Sequence, residues 1–241
     1  MTGSRRAPDP GAPFPPVPPA DGPAAEPAAP DGEVPPPPDA ARAIFGSALP
    51  VVEAYARLLA GPGVERGLIG PAEAPRLWDR HLLNSAAVAE LVPDSCVLAD
   101  IGTGAGLPGL VLAILRPRAR VILVEPMARR TVFLLEAAGQ LGLENIEVRR
   151  GRAEDFTGQI RADVVTARAV AGLDKLAVLA SGVARPGGLV LAIKGRSAAG
   201  ELDRARPVLR KLGATEVQLV QAGLGLLSEP ATVIRFRTAL H

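Results

Sequence analysis

The sequence predicts an α/β fold: a seven-stranded, mostly parallel sheet with helices on both faces, ending in an antiparallel strand pair and preceded by a helical extension. Three observations predict it. From about residue 94 onward, short β-branched runs alternate with segments of helical periodicity, the signature of crossover units. One of those strands runs into a glycine-rich turn that opens a helix. The last two strands have no helical segment between them, so they pair antiparallel at one edge.

The chain divides into three parts. Residues 1–39 hold 14 of the 25 prolines and end in Pro35-Pro36-Pro37-Pro38. Such a stretch pairs little backbone and buries no core, so it reads as a disordered, partly polyproline-II tail that the fold can lose. Residues 40–93 form a helical lead-in. Ile44, Leu49, Val52, Tyr55, Leu58 and Leu59 recur at near-helical spacing up to Gly61-Pro62-Gly63, and Leu77, Trp78, His81, Leu82 and Ala89 mark a second helical stretch from about 73 to 91. Residues 94–241 are the core. Its strands are expected near 96–101, 120–125, 146–150, 162–167, 189–194, 215–221 and 231–237. The helices fall near 107–115, 128–141, 173–183 and 200–212, and Pro186-Gly187-Gly188 reads as a turn before the fifth strand.

Composition narrows the function. The 241 residues carry a formal charge of +2. That figure averages an acidic tail, with two arginines against six acids in residues 1–39, and a basic remainder with 25 bases against 19 acids. A positive body suits a polyanionic partner, though modestly. The single cysteine, Cys96, excludes an intrachain disulfide, and with only His81 and His241 as histidines a metal centre is not expected. No apolar run reaches the roughly 20 residues of a spanning helix, and no apolar stretch follows Arg5 and Arg6 as in a secretory signal. The expectation is a cytoplasmic protein without membrane or metal partners, acting as a monomer.

The most informative stretch is Val97-Leu98-Ala99-Asp100-Ile101-Gly102-Thr103-Gly104-Ala105-Gly106-Leu107-Pro108-Gly109. A buried strand ends near an acid, glycines alternate, and a helix begins. Glycine lets the backbone turn tightly and approach a ligand, and the helix N-terminus adds free amides. From Gly104 the segment matches the dinucleotide fingerprint Gly-x-Gly-x-x-Gly. From Asp100 it reads Asp-x-Gly-x-Gly-x-Gly, a loop that binds the nucleoside of S-adenosylmethionine. Both readings want an acid at the end of the next strand for ribose hydroxyls, and Glu125 supplies it. Three features favour the second reading. Asp100 suits a cationic ligand and would repel a pyrophosphate. The polar turn Arg152-Ala153-Glu154-Asp155 follows the third strand, placed for an adenine edge, and the closing antiparallel pair ends the sheet as methyltransferase sheets end.

Beyond the tail, the chain from about Ala40 to Arg237 resembles the RsmG (GidB) family of 16S rRNA guanine-N7 methyltransferases. The resemblance is carried by Leu77-Trp78-Asp79-Arg80-His81-Leu82-Leu83-Asn84-Ser85, the glycine stretch Asp100–Gly109, Arg152-Ala153-Glu154, Ala167-Arg168-Ala169 and Lys194-Gly195. Asn84 departs from the family pattern, where many members have Asp. The resemblance implies a Rossmann-like class I methyltransferase fold, with Gly102, Leu107, Ala153, Glu154 and Arg168 at the cofactor. Asp100, Gly104, Gly106 and Glu125 complete that pocket on the reading of the residues themselves.

Guanine N7 has an in-plane lone pair and no proton, so its methylation needs no general base, and the sequence offers no evident His–carboxylate dyad. Arg80, His81, Arg168, Lys194 and Arg196 are the candidates for gripping phosphate or the guanine edge, with Arg80, His81 and Lys194 nearest the chemistry. The pairs Arg129-Arg130 and Arg149-Arg150 read as solvated element ends. The expected partner is 16S rRNA or the small ribosomal subunit. Alternatives are the same fold acting on a small molecule or protein, a nicotinamide-dependent oxidoreductase, and an inactive RNA-binding module.

Overall fold

The computed structural model describes residues 34–240. Seven strands, β1 (Val97–Ile101), β2 (Arg120–Glu125), β3 (Ile146–Arg150), β4 (Ala162–Arg168), β5 (Ala184–Lys194), β6 (Thr215–Ala222) and β7 (Ala231–Arg237), form one sheet in the order β3-β2-β1-β4-β5-β7-β6. The first five pair in parallel, and β7 enters antiparallel between β5 and β6. Among the described residues, seven α-helices accompany them: α1 (Asp39–Phe45), α2 (Leu49–Leu58), α3 (Asn84–Ala87), α4 (Gly109–Leu115), α5 (Ala128–Gln140), α6 (Leu173–Val183) and α7 (Ala198–Lys211).

Strand alternation builds the core on both faces. Val121 and Leu123 of β2 pack with Leu110 and Leu112 of α4, Phe133 and Leu134 of α5 and the N-terminal helices. Ile122 and Val124 face the other way, into a cluster with Leu173 and Leu176 of α6 and Leu202 and Leu209 of α7. Both layers are built almost wholly from Ala, Val, Leu and Ile, as a chain with 3% aromatic residues must be.

Three details differ from the sequence reading. The stretch from 71 to 91 is a relay of short turns: 3-10 turns at Pro71–Arg76, wide π-type turns at Leu77–Leu83, α3, and a last 3-10 turn at Val88–Leu91. Pro75 lacks an amide donor, so no regular helix runs through it. The expected turn at Pro186-Gly187-Gly188 lies inside β5, whose pairing with β4 shifts register there. Gly187 donates to the Ala239 carbonyl and Thr238 to the Gly188 carbonyl, so the C-terminal residues keep this irregular backbone paired. Finally, residues 34–38 do not hang free of the fold. The Trp78 indole donates to the Pro35 carbonyl at 2.7 Å, and Val34 packs on the core. Residues 1–33 of the expected tail lie outside the described residues.

The helical run Asp39–Gly63 has the length and mean hydropathy that could cross a membrane. Its buried side chains Phe45, Val52, Tyr55 and Leu59 instead pack into the core beside Leu110, and it carries Arg42, Glu53 and Arg57.

Candidate active site

Chain order reverses between β1 and β4, because β1 leads outward to β2 and β3 while β4 lies at its other edge. Connections that diverge in this way open a crevice at the carboxyl ends of the two strands. Into it runs the loop Gly102–Gly106, held to β2 by the Gly102 and Thr103 amides, which donate to the Val124 carbonyl at 2.8 and 3.2 Å.

All three loop glycines have left-handed backbones, with φ of 65° at Gly102, 63° at Gly104 and 101° at Gly106. Their surroundings differ. A Cβ on Gly106 would overlap the Leu110 side chain and come within 2.9 Å of the Tyr55 hydroxyl, so this glycine serves packing. A Cβ on Gly102 would lie 2.8 Å from Val170. At Gly104 the nearest atom is the Gly102 carbonyl oxygen, 4.0 Å away, so this is where the loop backbone is bare toward open space. Gly109, last in the dinucleotide-like spacing, is also structural: a Cβ there would run into Leu123 and the Asp100 carboxylate.

Two buried carboxylates flank the loop. Asp100 has no exposed surface. Its Oδ2 accepts the Gly109 amide at 2.9 Å and its Oδ1 accepts the Thr166 hydroxyl at 2.8 Å. Asp100, expected to complete the cofactor pocket, lies under the loop and not on its open side, and ties β1 to the start of α4 and to β4. Burial pushes its carboxyl up to about 6, against the hydrogen bonds that hold it ionised. Glu125, 1% exposed, accepts the Gly104 amide at 3.0 Å on one oxygen and the Met127 amide at 3.0 Å on the other, with Arg130 at 3.6 Å. Two amides leave lone pairs on such a carboxylate for ligand hydroxyls.

The N-terminal extension supplies the crevice's other wall. The Tyr55 hydroxyl of α2 donates to the Ala105 carbonyl at 2.7 Å, bracing the loop from below. The π-type turns at Leu77–Leu83 bring His81 against the end of β4, where Arg168 Nη2 meets His81 Nδ1 at 2.9 Å and Arg168 Nη1 donates to the Arg80 carbonyl at 3.2 Å. The other imidazole nitrogen, Nε2, contacts Glu73 Oε2 at 2.6 Å, while Arg80 Nη1 reaches Glu73 Oε1 at 3.1 Å. Burial, and next the Arg168 charge, hold the His81 ring below its ordinary value.

Elsewhere the polar groups are committed differently. Ala153 opens a 3-10 turn, Ala153–Phe156, directly after β3; it is buried, Glu154 is exposed, and Gly151 donates to the Glu125 carbonyl, which sets this turn beside β2. Leu107 is buried where the loop enters α4. Lys194 follows Ile193, the β5 partner of Arg168, yet its ammonium is not free for a substrate. It donates to the Ala171 carbonyl at 2.8 Å and pairs with Glu201 of α7 at 2.8 Å, with the side chain 8% exposed. The catalytic expectation for Lys194 is therefore corrected: a buried ammonium keeps its carboxylate partner, and this one pins the β4–α6 loop. Arg196 remains exposed beyond it.

The family model described as GidB, rRNA small subunit methyltransferase G, matches residues 49–226. The chain belongs to the GidB family. Relatives named ribosomal RNA small subunit methyltransferase G include one from Thermobifida fusca, 52% identical over 83% of this chain and 84% of its own. Another, from Mycolicibacterium gilvum, is 51% identical over 84% of this chain and 90% of its own. Among solved structures, a SAM-dependent O-methyltransferase from Thermotoga maritima superposes with a TM-score of 0.54 at 12% identity, covering 66% of each chain. A SAM-dependent methyltransferase from Aquifex aeolicus gives 0.52 at 16% identity, covering 71% of this chain and 100% of that one. The fold is that of class I S-adenosylmethionine-dependent methyltransferases.

For a GidB site the residues present fit S-adenosylmethionine: bare backbone at Gly104, a buried acid below the loop to favour a sulfonium, and a second acid at the β2 end for hydroxyls. Sequence reading missed Tyr55, Glu73, Thr166 and Glu201. Tyr55 left a signal: the chain's one tyrosine sits on the buried face of a helix, where its hydroxyl needs an acceptor. The others are partners that only the tertiary fold names.

Proposed function

We propose that this chain transfers the methyl group of S-adenosylmethionine to N7 of a guanine in small-subunit rRNA. It acts as a monomer in the cytoplasm, without a metal. The crevice carries the reading: its backbone is bare at Gly104, its floor is acidic, and the arginine-bearing mouth holds no free general base. When bound, the cofactor supplies an electrophilic methyl already activated by its sulfonium. Gly102, Gly104 and Leu107 would cradle it, Glu125 would accept its hydroxyls, Ala153 and Glu154 would border its base, and Arg168 would close the pocket from β4. Asp100 acts from beneath through its charge, and Gly106 through packing.

What the chain must then do is hold a guanine. N7 carries a lone pair and no proton, so alignment of the base suffices, and no side chain need take a proton from it. Arg80, half exposed beside the crevice, and the exposed Arg196 are placed for phosphate or guanine O6, which guanidinium forks match. His81 is neutral in this arrangement and engaged at both nitrogens, which fits a reaction without a base. Among the described residues no group of three His, Cys, Asp or Glu side chains stands ready to hold a metal.

The test incubates the full chain with methyl-labelled S-adenosylmethionine and small ribosomal subunits from cells lacking this protein. Borohydride and aniline then cleave the rRNA at 7-methylguanosine. A single cleavage in small-subunit rRNA is the expected result. Label at another atom, or only in protein or small molecules, overturns the reading.

A further inference from the structure

We infer that Glu73 is a positioning residue for Arg168, acting through His81, and that the chain Glu73–His81–Arg168 works in one protonation state only. The hydrogen-bond arithmetic is strict. A guanidinium donates and never accepts, so the 2.9 Å contact from Arg168 Nη2 requires a lone pair on His81 Nδ1. The ring proton is therefore on Nε2, where it donates to Glu73 Oε2 at 2.6 Å. One tautomer, neutral and Nε2-protonated, satisfies both neighbours. The Nδ1–H tautomer faces a donor with a donor and a carboxylate with a lone pair. The imidazolium puts a second N–H and a second positive charge against Arg168. Glu73 thus selects the tautomer, and the tautomer sets where the Arg168 fork lies at the mouth of the crevice. A second tie, Arg168 Nη1 to the Arg80 carbonyl at 3.2 Å, fixes the plane of the fork.

Charges facing the ring come from three elements: Glu73 from the 3-10 turns at Pro71–Arg76, Arg80 from its own turn, and Arg168 from β4. Arg168 in turn faces Asp100 of β1 and Tyr55 of α2. Burial and the two arginines favour the neutral ring, while Glu73 opposes them. Neutral His81 therefore persists below the ordinary imidazole value of 6.5, and the chain breaks only on further acidification. Because guanine N7 needs no base, the acidic limb of kcat at saturating S-adenosylmethionine, where the bound cation keeps Asp100 ionised, belongs to this joint. The inference rests on Arg168 lining the site proposed above.

The experiment has two arms. Long-range ¹⁵N–¹H spectra of the full chain resolve its two imidazoles, His81 and His241. His81 is expected in the Nε2–H form in wild type, and as a tautomer mixture in Glu73→Ala. A fixed Nδ1–H form, or an unchanged spectrum in Glu73→Ala, overturns the chain whatever the substrate proves to be. Kinetics of methyl transfer form the second arm. Glu73→Ala should lower kcat about tenfold with little change in KM for S-adenosylmethionine. Glu73→Gln, which still accepts from Nε2–H but has no charge, should recover most of kcat and move the acidic limb to lower pH. His81→Gln should lose that limb and exceed His81→Ala in kcat. A limb that survives in His81→Gln, or equal losses in Glu73→Ala and Glu73→Gln, refutes the positioning role. Absence of rRNA methylation by wild type refutes the proposed function and leaves the spectral arm to judge the chain.

Discussion

Asp100→Asn isolates the electrostatic strain under the glycine loop. In the fold the Asp100 carboxyl titrates near 6 instead of its ordinary 3.8, because burial disfavours its charge. At about 1.36 kcal/mol per pH unit, the ionised carboxylate costs the fold about 3 kcal/mol at pH 8. The sign follows from linkage. A folded value above the unfolded one gives a favourable contribution that is complete below pH 3.8 and lost as pH rises through 6. Asparagine has no such titration and can keep both bonds, its oxygen accepting from Gly109 and its amide donating to the Thr166 oxygen. Urea unfolding of both proteins from pH 4 to 8 should show the variant gaining on wild type as pH rises, by roughly 2 kcal/mol across the window. A cationic ligand above the loop reverses the balance. Wild type should release a proton on binding S-adenosylmethionine near pH 6, read by calorimetry in buffers of different ionisation enthalpy, and Asp100→Asn should bind more weakly without proton release. A stability difference that is flat with pH, or that grows toward acid, refutes the reasoning.

Gly104→Val places a side chain in the open part of the crevice. Affinity for S-adenosylmethionine should fall at least a hundredfold by calorimetry, while the left-handed backbone costs about 1–2 kcal/mol of stability; retained affinity would remove Gly104 from the cradle. Lys194→Ala leaves Glu201 the Ser197 hydroxyl but no cation and frees the Ala171 carbonyl, so denaturant unfolding should show a loss of about 1–2 kcal/mol. Arg80→Ala, at a half-exposed side chain, should change stability by less than about 0.5 kcal/mol. A chain beginning at Asp39 should melt below one beginning at Val34, by the few degrees that about 1 kcal/mol represents, because the Trp78 indole loses the Pro35 carbonyl.

Much of the fold was legible because its strands are short, β-branched and cleanly punctuated. Arg120–Glu125, Ile146–Arg150, Leu173–Val183 and Ala231–Arg237 stand where the hydrophobic pattern puts them. The exceptions have local causes. Glycines at 187 and 188 read as a turn, yet partners from residues 238 and 239 turn them into an irregularity within a strand. The Pro-rich segment reads as free up to residue 39 because nothing in it announces that an indole 43 positions later takes the Pro35 carbonyl. At the site, the glycine loop and its two acids were visible as a motif, whereas the job of each member was not. Gly106 and Gly109 serve packing, and Asp100 serves the backbone, because Tyr55, Leu123 and Thr166 arrive from elsewhere in the chain and the first turn of α4 lays Leu110 over Gly106. Lys194 and Glu201 show the same limit: a basic residue after a strand invites a substrate reading until its carboxylate appears one helix later.

The bond from Tyr55 to Ala105 joins residues 50 apart, and both ends are buried. During synthesis the amino-terminal helices leave the exit tunnel well before the loop that accepts this hydroxyl. They cannot reach their finished packing as an early, autonomous unit. The nascent chain must carry an incomplete wall until the first strand and the turn behind it have emerged, so shell and crevice reach their final form together.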